Sequence, residues 1–173
     1  MDKIIFLIGF MGSGKSYWGR RLSEAAQCAF ADLDARIEKR EGCAVSTLFA
    51  ERGEAVFRAL EGSHLRILLD QEPPLIVATG GGTPCFYDNM AFMNRAGYTI
   101  WLDVPPEELA RRLAPERAHR PLLANIPEAD LTAAIADRLA ARQPWYAQAR
   151  FRLPWQDDEH LYYKSLVKLV HAL

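Results

Sequence analysis

Several groups of residues in this 173-residue chain have types and spacings that could do chemistry. The clearest is Gly9-Phe10-Met11-Gly12-Ser13-Gly14-Lys15-Ser16, which follows the apolar run Ile4-Ile5-Phe6-Leu7-Ile8 and precedes a helix-like segment. Strand, glycine-rich turn and helix, in that order, are the context in which GxxxxGK[ST] cradles a polyphosphate. Backbone N–H groups and the positive end of the helix dipole then face the oxygens. Glycines at 9, 12 and 14 let the backbone come close without β-carbon clashes. Lys15 can reach a terminal phosphate, and the Ser16 hydroxyl can ligate Mg2+.

A cradle of this kind serves GTPases, motors and small-molecule kinases alike, so its companions must discriminate. Asp32 and Asp34 stand two residues apart after a short apolar stretch. Phosphoryl transfer needs carboxylates to hold Mg2+ and to orient or deprotonate an attacking hydroxyl; a helix N-cap plus a solvent carboxylate is the plainer reading. Arg58 could grip a substrate carboxylate bidentately, with Glu61 on the same helical face to orient it, or could be an exposed ion-pairing arginine. Gly80-Gly81-Gly82 suits backbone brought close to a ligand with amides free to donate, or a flexible turn. Four arginines, Arg111, Arg112, Arg117 and Arg120, fall within ten positions. They suit a lid that closes over a transferring phosphoryl group, or a solvated charge run. Arg142 is either a helix C-terminal cap or a second carboxylate clamp.

The elements that must position these residues alternate. Short apolar runs at 3–8, 29–31, 75–78, 98–102 and 150–153 read as strands. Helical patterns fill 15–27, 34–40, 46–50, 54–69, 88–95, 105–113, 128–142 and the stretch from Asp158. Strands followed by covering helices predict a three-layer α/β sandwich around a parallel sheet of about five strands. Ligands in such sheets bind beyond the carboxyl ends of the strands, where Gly9–Ser16, Asp32, Asp34 and Gly80–Gly82 all fall. The economical organisation is a single domain over 1–173, with a substrate-binding subregion at about 32–62 and an inserted lid at about 112–126.

Half of the residues are apolar and the formal charge is −1, which argues against a nucleic-acid binder. No apolar run approaches the roughly 20 residues that span a bilayer, and the N-terminus does not read as a signal peptide. Three widely spaced cysteines without CxxC suit a reducing cytoplasm and offer no metal framework. No obligate protein partner is expected. A strand-end aspartate after Ala78 and an NKxD motif are both absent, which weighs against a motor ATPase and a GTPase.

Together these residues resemble the shikimate kinase family, which is P-loop nucleoside monophosphate kinase-like; the resemblance runs from about residue 4 to 153. It implies ATP and Mg2+ as cofactors and the 3-hydroxyl of shikimate as acceptor. Gly12, Ser13, Gly14, Lys15, Ser16 and Tyr17 would hold ATP, with Arg120 of Arg120-Pro121-Leu122-Leu123 on the transferring phosphate and Arg117 a second contact. Lys15, Asp34 and Arg120 would be catalytic, Asp34 as the base. Ser16 and Asp32 would serve the metal. Asp34, Arg58, Gly80, Gly81, Gly82 and Arg142 would bind shikimate. Two segments depart from the commoner pattern: Thr83-Pro84-Cys85 after the glycines, and Pro154-Trp155-Gln156-Asp157-Asp158 on the adenine side. A kinase for another small hydroxy acid such as gluconate, or a nucleotide-binding module without catalysis, are the competing readings.

Overall fold

The computed structural model describes residues 4–68, 75–115 and 122–173. Its sheet consists of β1 (Ile4–Ile8), β2 (Ala29–Asp32), β3 (Leu75–Ala78), β4 (Gly97–Asp103) and β5 (Phe151–Pro154), in the order β2-β3-β1-β4-β5. All four pairings are parallel. The inner strands are apolar on both faces, as a sheet covered on both sides requires. Ile4, Phe6 and Ile8 pack on one side with α2 (Leu33–Glu41), α3 (Val45–Ile67), α4 (Asn89–Ala96), α5 (Pro106–Leu113) and α6 (Leu131–Tyr146). Ile5 and Leu7 point to the other side, against Trp18 and Leu22 of α1 (Lys15–Ala26) and Tyr162, Leu166 and Val170 of α7 (Glu159–His171). This is the expected α/β three-layer arrangement. Among the described residues no helix is long and apolar enough to cross a membrane.

The register brings three chain segments to one edge. Asp32 pairs with Ala78, and Ala78 with Leu7, so β2, β3 and β1 end level. Thr79 ties the edge together by donating its N–H and its hydroxyl to the Leu7 carbonyl at 3.2 and 3.1 Å. Gly9, Leu33 and Gly80 therefore leave the sheet side by side.

Three helix boundaries have local physical causes. Gly42, at φ 72°, ends α2 where predicted. The two helices expected at 46–50 and 54–69 form α3, with Gly53 at φ 80° and ψ 166° as a kink between them. The helix expected to stop at Arg142 continues to Tyr146 with Pro144 inside it. Burial of the Tyr146 ring against Trp101, at 5.8 Å, outweighs the proline's missing N–H. Of the expected lid at 112–126, residues 116–121, including Arg117 and Arg120, lie outside the described residues.

Candidate active site

The loop after β1 has the geometry of a phosphate cradle. Gly9, Gly12 and Gly14 take φ of 141°, 78° and 90°, which only glycine adopts without strain. Space demands them too: a β-carbon would stand 2.7 Å from the Leu102 carbonyl at Gly9 and 2.9 Å from Leu113 Cγ at Gly12. Lys15 begins α1 and is almost wholly buried. Its Nζ donates to the Gly9 and Phe10 carbonyls at 2.9 and 2.8 Å, which wraps the loop around its own lysine. Ser13 Oγ is buried and has no hydrogen-bond partner in the protein.

Asp32 and Asp34 have separate tasks. Asp32 caps α2, its Oδ1 accepting from Ala35 N at 3.2 Å, while its Oδ2 accepts from the Ser16 hydroxyl. A hydroxyl and a carboxylate thus meet beside the cradle. Among the described residues no cluster of three or more His, Cys, Asp or Glu could hold a metal. Two oxygen donors next to a phosphate site suit Mg2+, which keeps waters and substrate phosphate oxygens as its other ligands. Asp34 lies in the first turn of α2 and turns inward; its Oδ1 is buried without a partner. Burial, then the Glu61 and Asp32 charges, push its carboxyl up to about 7 against the opposing pull of Lys15 and Arg58.

Arg58 is 4 % exposed and Glu61 fully buried. Arg58 Nη1 donates to Glu61 Oε2 at 2.7 Å; Nε and Nη2 donate to Glu54 Oε1 at 3.1 and 2.8 Å. These bonds leave one N–H on each Nη nitrogen of the fork. The Phe86 ring lies 4.5 Å from the guanidinium carbon, with Phe57 at 5.3 Å and Phe49 at 5.5 Å. Burial pushes the Glu61 carboxyl up, and the Arg58 charge and Thr83 hydroxyl oppose it.

The glycine triplet is explained by space, since none of the three has positive φ. At Gly80 a β-carbon would meet Glu61 Oε1 at 2.2 Å and Asp34 Oδ1 at 2.9 Å. At Gly81 it would meet the Met11 amide nitrogen at 3.0 Å, and at Gly82 the Arg58 Nη1 at 2.5 Å. The triplet is the bare wall against which the carboxylates, the cradle and the arginine all pack. Tyr146 secures it from α6 by donating its hydroxyl to the Gly81 carbonyl at 2.5 Å. One turn earlier, Arg142 lies over the Phe10 ring at 5.1 Å, with Nη1 buried and without a hydrogen-bond partner. It borders a cavity from inside α6, which runs on to Tyr146, so it does not cap the helix.

These groups line a continuous cleft. A cavity of about 300 Å3 is bordered by Asp34, Arg58, Glu61, Gly80–Gly82 and Arg142, with Phe49, Phe57 and Leu122 as apolar walls. It shares Met11, Asp34 and Gly81 with a cavity of about 460 Å3 over Lys15, Ser16, Tyr17 and Asp32. That cavity in turn shares Gly12, Gly14, Tyr17 and Arg112 with one of about 400 Å3 bounded by Trp18, Glu108 and Trp155. In sequence Arg112 is one of four arginines in the 111–120 run and Trp155 part of the adenine-side segment, with no contact assigned to either. Arg112 donates to Glu108 Oε1 at 2.6 Å and to the Gly12 carbonyl at 3.1 Å, and its guanidinium carbon lies 4.2 Å from the Trp155 ring centre. The Glu108–Arg112 spacing of i,i+4 was the available signal.

A family model described as shikimate kinase matches residues 11–169. A shikimate kinase of Parabacteroides distasonis is 42% identical over 173 residues, covering 97% of this chain and 99% of that protein. The crystal structure of a shikimate kinase from Bacteroides thetaiotaomicron superposes with a TM-score of 0.90 at 39% identity, over 99% of this chain and 98% of its own. One from Acinetobacter baumannii, solved in complex with shikimate, gives a TM-score of 0.88 at 29% identity, over 99% and 95%.

Proposed function

This chain belongs to the shikimate kinase family, and from that premise we propose which residues of the cleft carry each part of its reaction. The enzyme transfers the γ-phosphoryl group of ATP to the 3-hydroxyl of shikimate, giving shikimate 3-phosphate and ADP, with Mg2+. The observation that carries the assignment is a pair of buried polar atoms, Asp34 Oδ1 and Arg142 Nη1. Both lack a partner, and both residues border the same cavity of about 300 Å3. A small hydroxy acid satisfies both, with a hydroxyl on one and a carboxylate on the other.

Arg58 and Arg142 hold the shikimate carboxylate, Arg58 through its two remaining N–H groups. That grip turns the 3-hydroxyl toward Asp34 and the phosphate cavity, and a reaction already positioned avoids much of its entropic cost. Asp34 in its ionised form accepts the hydroxyl proton at Oδ1 as the oxygen bonds to phosphorus and the bond to the ADP oxygen breaks. A carboxyl near 7 is well matched to take and return a proton at neutral pH. Gly12–Tyr17 cradle the phosphates, and Lys15 offsets charge on the transferring group. Ser16, with Asp32 behind it, offers the oxygens for Mg2+, which supplies charge neutralisation on the phosphate oxygens when bound. The cavity between Arg112 and Trp155 continues from the cradle and takes the nucleoside. Arg120, with Arg117 as a second contact, is assigned to the transferring phosphoryl group on its sequence motif, as is the lid at about 112–126. The amides of Gly80–Gly82 serve the acceptor hydroxyls.

A coupled assay of ADP release across shikimate, gluconate and other small hydroxy acids tests this reading. Saturable release with shikimate, slowed about 10²–10⁴-fold in Asp34→Asn, is the expected result. Release with gluconate alone overturns it.

A further inference from the structure

Thr83 directly follows the glycine triplet and is fully buried. Its backbone is held at both ends. The N–H donates to the Gly80 carbonyl at 3.2 Å, and the carbonyl accepts from Asn89 Nδ2 at 3.0 Å. Asn89 is itself fully buried and accepts from Arg66 at 3.1 Å. With the main chain fixed in this way, the Thr83 hydroxyl has a set direction. It donates to Glu61 Oε1 at 2.5 Å.

Glu61 is a buried carboxylate with two hydrogen-bonded neighbours, the Thr83 hydroxyl on Oε1 and Arg58 Nη1 on Oε2. Oε1 lies 2.2 Å, and Asp34 Oδ1 2.9 Å, from the point where a β-carbon on Gly80 would stand. Two carboxyl groups that close repel when both are ionised. A buried carboxylate that loses a donor on one oxygen pays the desolvation of that oxygen in full, so it protonates or rotates. Either change releases Arg58 Nη1 and lets the fork swing on its remaining bonds to Glu54.

We propose that Thr83 is a positioning residue for the acceptor: its hydroxyl holds Glu61 in the orientation that keeps the Arg58 fork aimed at the shikimate carboxylate. Thr83 touches neither substrate and acts through Glu61. The inference rests on Arg58 being the carboxylate ligand, as assigned above. A merely structural Thr83 would affect thermal stability and both substrates alike; a positioning Thr83 affects the acceptor alone.

The test is steady-state kinetics with shikimate and ATP varied separately on Thr83→Val, which keeps the shape and removes the hydroxyl, and Thr83→Ser, which keeps the hydroxyl. Thr83→Ala serves as a second hydroxyl-free variant should the valine protein fold poorly. Losing a hydrogen bond to a charged group predicts a rise of about tenfold or more in the shikimate KM of Thr83→Val. The ATP KM stays within twofold, and Thr83→Ser stays near wild type. In a cycle with Glu61→Gln, the double variant is no worse than Glu61→Gln alone, since Thr83 has nothing left to hold. An unchanged shikimate KM in the hydroxyl-free variants, equal losses for both substrates, or additive effects in the cycle overturns the proposal. Wild-type turnover of shikimate in the same plates separates this failure from a failure of the acceptor assignment.

Discussion

The Arg58 guanidinium lies face-on against Gly82: a β-carbon there would stand 2.5, 2.6 and 2.7 Å from Nη1, Cζ and Nη2. Near-equal distances to three atoms of the plane leave no direction in which a methyl group fits. Gly82→Ala therefore pushes the fork off its carboxylate partners. The expected outcome is a rise in shikimate KM of at least about tenfold with ATP KM unchanged, as overpacking typically costs about 1–3 kcal/mol. Equal KM values in the two proteins would show that Arg58 relaxes freely.

Asp34→Asn separates function from stability. Turnover falls by about 10²–10⁴-fold, the contribution typical of a positioned base, while ATP affinity measured by calorimetry is kept. Stability moves the other way. The Asp34 carboxyl is raised from 3.8 to about 7 in the fold. Its protonated form therefore lends stability that is complete below pH 4 and is lost as pH rises through about 7. A shift of that size corresponds to roughly 4 kcal/mol. Without nucleotide and in a metal chelator, the melting temperature of Asp34→Asn should exceed that of wild type by a margin that widens between pH 5 and 8. A margin independent of pH would contradict the raised carboxyl.

The two arginines proposed to hold the carboxylate should fail differently. Arg58 is bound to buried Glu61, so Arg58→Ala strands a carboxylate and costs about 3–5 kcal/mol of stability besides acceptor binding. Arg142 Nη1 has no partner to strand. Arg142→Ala should raise the shikimate KM about tenfold or more, the worth of a charge-assisted bond, with little change in melting temperature. Comparable stability losses in both variants would count against this contrast.

Ser16 and Asp32 share one hydrogen bond beside the cradle. Ser16→Ala and Asp32→Asn should each shift the Mg2+ activation curve to higher concentration, and saturating Mg2+ should recover more of the Asp32→Asn activity than of the Ser16→Ala activity. Asp32→Asn keeps a capping side chain for α2, so its melting temperature should hold. An unmoved Mg2+ curve in both would remove them from the metal site.

Trp155 and Arg112 stack beside the cavity of about 400 Å3 that is proposed above to take the nucleoside. Trp155→Ala should raise the ATP KM about tenfold, in line with about 1–3 kcal/mol for a lost aromatic stacking surface. The shikimate KM is the internal control and should not move.

The parts of the site that the sequence disclosed are those where residue type alone carries the chemistry. Gly9–Ser16 is legible because its glycines, lysine and serine are each demanded by backbone path or by phosphate, and β1 and α1 flank it as periodicity predicts. Asp32 and Asp34 were legible as a pair but not as individuals. Their inequality depends on Asp32 capping α2, which turns Asp34 inward, and two-residue spacing is equally compatible with a solvent carboxylate. In sequence the triplet Gly80–Gly82 suits a source of amides. Its more immediate cause, room for Glu61, Asp34 and Arg58 side chains from other helices, exists only in three dimensions. Arg112 was one of four arginines in a short run, and only its meeting with Trp155 of a distant loop distinguishes it. Pro144 similarly suggested a helix end at Arg142, because the pull of Trp101 on Tyr146 is a tertiary contact.

The glycine wall also sets where this pocket can be re-tailored. Its inner side is main chain, pressed by the cradle at Gly81, by the two acids at Gly80 and by the fork at Gly82, so no side chain can be introduced there to suit a different acid. The rest of the lining includes Val45, Leu122 and Phe49, of which Phe49 alone packs on one of these groups, its ring 5.5 Å from the Arg58 guanidinium carbon. Re-tailoring of acceptor preference is thereby confined to those side chains, because the glycine wall has no room for one.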